Sequence, residues 1–378
     1  MSRTLIILIT CLGPFFLFGQ SYTYSHPIDF QPEEYVCYQT NAAITIDGKD
    51  SEEDWTLASW SSPFVDIEGS LKPNPYLETK CKMLWDSTYF YFYFELEEPH
   101  IWATLTERDD IIFLDDDIEI FIDPDADVHS YYEFEINAFN TLWDLLLIRP
   151  YRLYRAPQAV YEYNVLDLNS AVHIEGSLND PKDEDKFWSV EVAIPWRALA
   201  ELAPRIRGPK DGEQWRVNFS RVDWDMEIKD NSYQKKLNPE TNHPVSEHNW
   251  VWSPMGKINM HMPEVWGFVQ FAETAVGQAK TSFNPNPNEE IKWAMWNLYW
   301  QQMEYYTKHD SFTSDLSLFS IPTLSQTLSP KMSFEPKIYT TPNYFEIEAA
   351  SSDGNSKWIL EKEGRMYNTK KLVLNKLK

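Results

Sequence analysis

Lys80-Cys81-Lys82-Met83-Leu84-Trp85-Asp86-Ser87-Thr88-Tyr89-Phe90-Tyr91-Phe92-Tyr93-Phe94-Glu95-Leu96-Glu97 decides how the rest of the chain is read. Lys80–Trp85 and Tyr89–Glu97 are β-prone runs on either side of Asp86-Ser87-Thr88, a turn signal, so the stretch predicts a hairpin. In its second strand Phe90, Phe92, Phe94 and Leu96 fall on one face. Tyr89, Tyr91, Tyr93 and Glu95 fall on the other. One face is wholly apolar and the other amphipathic, so the apolar side needs a second layer over it.

Further strands are predicted on both sides of this hairpin. Tyr35–Gln39 is one, and Ala43–Ile46 is another, closed by Asp47-Gly48. Ile118–Ile122 ends at Asp123-Pro124. Tyr131–Asn137 and Leu142–Ile148 flank Phe139-Asn140-Thr141 as a second hairpin. Trp188–Ile194 alternates, and Pro195 then opens a helical turn at Trp196–Leu202, as proline does at a first helical position. Trp215–Val222 and Gly267–Phe271 complete the set. Many short strands with few helices indicate a mainly β chain folded as an antiparallel β-sandwich, immunoglobulin-like or jelly-roll-like.

After a boundary at Phe283-Asn284-Pro285-Asn286-Pro287-Asn288 the period changes. Over 289–306, Ile291, Met295, Leu298 and Tyr299 share one helix face and Trp293, Trp296 and Trp300 another. A helix apolar on most sides has to pack against something. Phe345–Ala349, Lys357–Leu360 and Lys371–Leu374 read as small strands, making the C-terminal region a small α+β unit. From Lys331 onward nine basic and six acidic residues give +3, so the rest of the chain carries −28 of the net −25. The expected organisation is a leader at 1–20, a sandwich at 21–274, a linker at 275–290 and a C-terminal unit at 291–378.

The chain has 378 residues, 43 % of them hydrophobic and 24 % charged, enough for a packed core. A net charge of −25 argues against nucleic acid, which needs a basic stripe, and against anionic lipid. It is compatible with cations and neutral polar ligands. The 16 Trp, 21 Tyr and 21 Phe suit a β fold and the flat faces on which sugar rings stack. Arg3 followed by Leu5–Ile9 and Leu12–Phe18 reads as a secretory signal with cleavage near Phe18-Gly19-Gln20. Cys11 sits poorly for lipidation, since the apolar run continues past it. No later stretch is apolar enough to span a bilayer, so the expected product is exported, periplasmic or extracellular. Cys37 and Cys81 then remain, as one disulfide or as two buried thiols.

The common catalytic signatures are missing: no G-x-S-x-G, no H-E-x-x-H, no phosphate loop and no dinucleotide fingerprint. With 58 acidic residues a carboxylate pair of glycosidase type is not recognisable by spacing. The densest polar stretch is Asp115-Asp116-Asp117-Ile118-Glu119 through Asp123-Pro124-Asp125-Ala126-Asp127. Asp123, Asp125 and Asp127 alternate like the start of a calcium loop, but Val128 and Phe134 stand where an EF-hand needs Gly and Glu. Two readings stay open: a non-EF calcium site, or an acidic turn in which Asp123 caps backbone amides. Most of the tryptophans belong to a core. Trp102, Trp143 and Trp252 lie near loops and are the better stacking candidates, with Phe113 set between acidic clusters. Arg108, Arg221, Asn137, Glu119 and Glu135 are candidates for fixing sugar hydroxyls, with structural salt bridges as the alternative for each.

Several stretches together resemble the family 9 carbohydrate-binding modules. They are Ile44-Thr45-Ile46-Asp47-Gly48 with Asp54-Trp55, then Met83-Leu84-Trp85-Asp86-Ser87-Thr88-Tyr89-Phe90-Tyr91. Next come Asp117-Ile118-Glu119-Ile120-Phe121-Ile122-Asp123-Pro124 and Trp188-Ser189-Val190-Glu191-Val192-Ala193-Ile194-Pro195-Trp196. Trp266-Gly267-Phe268-Val269-Gln270-Phe271 closes the match, which spans about 35–272. The resemblance implies an antiparallel sandwich with structural calcium, and a sugar held between two tryptophan rings. This chain departs at both rings: Phe113 stands at the first, and Met260-His261 near the second. The family's strand glutamate persists as Glu119 and its asparagine as Asn137, while Glu135 replaces an arginine.

The expected function is exported, non-catalytic carbohydrate binding, tied to polysaccharide breakdown. The expected surface is Phe113, Glu119, Asn137, Trp143, Arg221, Trp252 and His261, with Asp123, Asp125 and Asp127 for calcium. Two alternatives remain: hydrolysis of glycosidic bonds by an unrecognised carboxylate pair, and a structural role in which the aromatic C-terminal helix docks a protein partner. An exposed helix face would favour docking and a buried one would oppose it.

Overall fold

The structure is a computed structural model describing residues 22–24, 26–153, 158–203, 205, 207–325 and 333–370. The expected leader at 1–20 and the expected strand at 371–374 lie outside the described residues.

The central hairpin forms as Thr79–Trp85 paired antiparallel with Tyr89–Glu97. Asp86 builds its turn, accepting the Thr88 and Tyr89 amides at 2.6 and 2.7 Å. Phe90, Phe92, Phe94 and Leu96 are all fully buried. They share a core with Ile118, Ile120 and Ile122 and with Val190, Val192 and Ile194. Each such side chain contributes about 1.5–3 kcal/mol by leaving water. Tyr91 and Tyr93, on the opposite face, are covered by Trp55 and the stretch around it.

One ladder of thirteen strands folds over on itself to make the two layers. From one edge its order is Ala159–Val160, Leu142–Leu147, Tyr131–Asn137, Asp117–Asp123 and Gln214–Asp223. It continues as Gly267–Ala275, Glu34–Gln39, Thr79–Trp85, Tyr89–Glu97, Phe187–Pro195 and Asn169–Glu175. His248–Val251 adds to the side of Gln214–Asp223 and carries Val65–Asp66.

Two expectations need adjusting. The sheet is mixed, because Glu34–Gln39 runs parallel to both of its neighbours. Long connections lead from it to those strands, so no tight turn forces an antiparallel pairing. Ala43–Ile46 is not a strand. Amides in this region are taken by carboxylates instead: Asn41 and Ala42 by Asp54, Thr45 by Glu52, and Asp47 and Gly48 by Glu191.

Helix Pro287–His309 begins at the Asn286 cap and ends at Asp310 in a left-handed conformation. Acidic residues open it and basic residues close it, in keeping with its macrodipole. Ile291, Met295, Leu298 and Tyr299 pack on Phe345, Ile347, Leu360 and Met366 of a four-stranded sheet. That sheet comprises Lys337–Thr341, Tyr344–Ala350, Lys357–Glu361 and Met366–Asn368. Trp293 stacks on Phe30 at 4.2 Å, and Arg152 lies 5.3 Å from the Trp296 ring. Arg216–Glu289 at 2.9 Å and Arg365–Asp127 at 3.0 Å join the helix and small sheet to the sandwich. The apolar sides of the helix are thus largely covered within the chain, which counts against its serving as a docking element.

Cys37 and Cys81 are buried free thiols. Burial pushes both pKa values up, that of Cys81 to about 12, so neither is a thiolate at neutral pH.

Candidate functional site

Strict alternation sends one residue in two of Asp117–Asp123, Tyr131–Asn137 and Leu142–Leu147 away from the core. Ile118, Ile120, Ile122, Tyr132, Phe134 and Ile136 point inward. Glu119, Phe121, Glu133, Glu135, Trp143 and Leu145 therefore form an outer floor. Ile112–Leu114 and the segment from Glu247 to His261 cover it in part. The result is a cleft of about 330 Å³ whose walls include Phe113, Tyr151, Asn249, Asn259, Met260 and His261. That volume suits a small ligand.

Phe113 is the accessible ring of the cleft, 38 % exposed. Its backbone is held at both ends: the amide donates to Glu135 at 3.0 Å, and its carbonyl accepts from Trp224 Nε1 at 3.0 Å. Trp143 is mostly buried, and its Nε1 donates to the Tyr161 carbonyl. Glu119 and Glu135 face each other directly across the ladder, and Phe121 faces Glu133. Burial raises all three glutamates. Glu119 is pushed up to about 7, with Ser220 easing its charge and Glu247 opposing it. Burial, and then Glu119, holds Glu133 and Glu135 well above the ordinary carboxyl range.

His261 is hydrogen-bonded through Nδ1 to the Tyr131 hydroxyl at 3.0 Å, and Tyr151 meets its ring edge-on at 4.4 Å. Burial first, and the Arg152 guanidinium second, push its pKa down to about 3. It is a neutral wall of the cleft at pH 7. An unfolded histidine binds a proton near 6.5, so His261 favours the fold above that pH and ceases to do so as pH falls towards 3. The expected result is a His261→Gln variant whose stability deficit relative to wild type narrows by about 2 kcal/mol between pH 7 and pH 5. Denaturant unfolding at the two pH values measures it, and a constant deficit would refute it.

Of the seven expected sugar contacts, the structure brings Phe113, Glu119, Trp143 and His261 together. Three sit elsewhere. Asn137 is fully buried; it donates to Leu105 O and Asp115 and accepts the Phe139 and Thr141 amides, so it organises a turn. Arg221 continues the inward face of Trp215, Val217 and Phe219. It lies fully buried between Glu98 and Asp223, 2.7 Å from each. Trp252 is a core residue beside Phe219. Arg108 pairs with Asp144. Glu133, Glu247, Asn249, Asn259 and Tyr151 were not foreseen. Only Glu133 had a sequence signal, as it shares a strand face with Glu135.

Asp123, Asp125 and Asp127 do converge, with one oxygen from each within 4.8 Å of the others. In number and type the donors suit a hard cation. They also have protein partners. Asp123 accepts the Ala126 and Val128 amides at 2.9 Å, where both residues take positive φ. Asp127 accepts the His129 amide and Arg365 Nε. The acidic-turn reading thus accounts for much of this cluster.

A larger cleft, about 530 Å³, lies between Phe268, Phe283 and the start of the long helix. Gln214 and Glu289 within it are already paired, with Gln270, Asn284 and Arg216. The smaller cleft is the better candidate for binding polar ligands. Among the described residues no helix is long and apolar enough to cross a membrane.

The family described as "Carbohydrate family 9 binding domain-like" matches residues 46–273. Among solved structures, a candidate carbohydrate-binding protein from Bacteroides uniformis is similar at 16 % identity and TM-score 0.47, over 64 % of this chain and all of that one. A carbohydrate binding module family 9 from Caldicellulosiruptor kristjanssonii, in complex with cellotriose, is similar at 15 % identity and TM-score 0.38, over 66 % of this chain and all of that one. The same module in complex with glucose gives 14 % and 0.37 over the same shares. No curated protein matches.

Proposed function

This chain belongs to the carbohydrate family 9 binding domain-like family, and we propose on that premise that it is an exported, non-catalytic glycan-binding protein that serves polysaccharide breakdown. The observation that carries the reading is the cleft itself. It places an accessible aromatic ring, Phe113, beside carboxylates and amides able to engage hydroxyls. A sugar lays its apolar face on Phe113 while Glu119, Asn249 and Asn259 meet its hydroxyls. Such sites are shallow and wet, and the expected affinity is roughly 10–1000 µM, or about 4–7 kcal/mol.

No two of the three floor glutamates are placed to flank a scissile bond. Glu119, Glu133 and Glu135 stand side by side on one sheet face. A glycosidase needs its two carboxyl groups on opposite sides of the scissile bond.

Calorimetric titration with mono- and oligosaccharides tests the reading. Phe113→Ala is expected to weaken binding by about 1–2 kcal/mol, five- to thirty-fold, with folding unchanged. Phe113→Trp should retain or tighten it. No saturable heat with any sugar, from folded protein, would refute the reading. Release of reducing ends on incubation with an oligosaccharide would refute the non-catalytic part.

A further inference from the structure

Among the described residues three carboxylate clusters stand in the sandwich: Glu98, Asp116 and Asp223; Asp123, the half-buried Asp125 and Asp127; and Asp117, Glu119 and Glu135. Two already hold a guanidinium. Arg221 lies 2.7 Å from both Glu98 and Asp223, and Arg365 lies 3.0 Å from Asp127. Among the described residues the third has no cation.

Two of the third cluster's members, Glu119 and Glu135, line the floor of the sugar cleft, and Asp117 lies fully buried beside them. Glu119 and Glu135 are opposite each other, and Asp117 is two residues from Glu119 on the same face. Like charges set directly opposite destabilise a sheet. Asp117 is fully buried, and neither of its carboxylate oxygens makes a close, well-aligned hydrogen bond. The Val222 backbone N–H eases its charge only in part. One Glu133 oxygen beside the cluster is likewise buried and unpartnered. An unpartnered buried carboxylate is costly, and a native fold retains one where something else satisfies it. Glu247, Asn249, Asn259 and the neutral His261, which line the same cleft as Glu119 and Glu135, bring no positive charge.

We propose that Asp117, Glu119 and Glu135 hold a calcium ion at the floor of the cleft, and that the ion offers its open positions to two neighbouring hydroxyls of the bound sugar. One oxygen from each residue lies within 4.8 Å of the others. Calcium holds oxygens at about 2.3–2.6 Å, so two of its ligands are at most about 5 Å apart. An all-carboxylate set selects a hard cation over zinc or copper. Calcium takes six to eight ligands, so three residues leave room for hydroxyls from the cleft side. The second half of the proposal rests on the glycan-binding reading; the first does not.

The test is calcium titration of the full chain after stripping with EDTA, followed by sugar titration with and without calcium. Three proteins are compared: wild type, Asp117→Asn/Glu135→Gln, and Asp125→Asn/Asp127→Asn. The expected result is that the first double variant loses one bound calcium per chain and the second retains it. Sugar affinity should fall at least tenfold in EDTA for wild type and return with calcium. Calcium should raise the thermal midpoint of wild type more than that of Asp117→Asn/Glu135→Gln. In EDTA that variant should melt no lower than wild type, because it relieves repulsion. If it keeps all the calcium that wild type binds, or wild type binds none, the metal site is overturned, while sugar binding without calcium leaves the glycan reading intact. Loss of one calcium with no sugar bound in any condition supports the ion and overturns the glycan reading. Calcium bound at the cluster with unchanged sugar affinity overturns the bridging role.

Discussion

Arg221→Met is expected to destabilise the fold by about 3–5 kcal/mol, the loss typical of removing one partner from a buried ion cluster. The guanidinium is fully buried and bonds Glu98, Asp223, Thr79 and the Glu97 carbonyl. Without it Glu98, Asp116 and Asp223 lose the guanidinium that holds them together. At roughly 2 °C per kcal/mol for a unit of this size, the midpoint should fall by about 6–10 °C. The deficit should depend on pH. Glu98 stands at about 7, raised by burial even though Arg221 opposes the shift. Losing the arginine raises it further. A carboxyl whose folded pKa is raised favours the fold below its unfolded pKa and loses that favour as pH rises through the folded one. The variant's deficit should therefore shrink between pH 8 and pH 5. Adding Glu98→Gln and Asp223→Asn should recover part of the stability. A variant that melts like wild type but no longer binds sugar would instead make Arg221 a ligand contact.

Trp252→Ala should cost about 3–5 kcal/mol for a different reason, the void left by a large core ring. Trp252 is 1 % exposed and lies over Gly267, where an added Cβ would come within 2.5 Å of the ring. The close approach explains why a side chain is absent at position 267. Trp252 Nε1 is buried with no hydrogen-bond partner. Trp252→Phe should thus cost under about 1.5 kcal/mol, since it keeps most of the volume and removes an unsatisfied N–H. Chemical unfolding of the two variants separates these outcomes. If alanine and phenylalanine cost the same, the packing account fails. If Trp252→Ala keeps full stability and loses only sugar binding, the ring belongs to a site.

In these two residues the direction of a side chain is a local property and its partners are not. Arg221 falls two residues after Phe219, in step with Trp215 and Val217, so its inward direction was legible. Its partners were not, because Glu98 and Asp116 lie more than a hundred residues earlier in the chain. Trp252 follows a short strand that was not foreseen, and its proximity to a loop suggested exposure. The place of Asn137 in the strand motif implies a ligand role, yet its amide is used up by neighbouring turns.

The sequence by itself determined the hairpin, the inner and outer faces of most strands, the long helix and the family. Those features follow from periodicity and turn chemistry over a few residues, which local sterics and the contrast between water and core enforce. Only the tertiary structure decided the parallel run of Glu34–Gln39, the burial of the tryptophan helix on two sides, and the gathering of Phe113, Glu119, Glu135, Glu247 and His261 around one cleft. The physical reason is that burial and charge pairing depend on closing long loops. Whether a carboxylate meets an arginine, an amide or another carboxylate is settled by chain segments far apart in sequence, and no local pattern encodes that meeting.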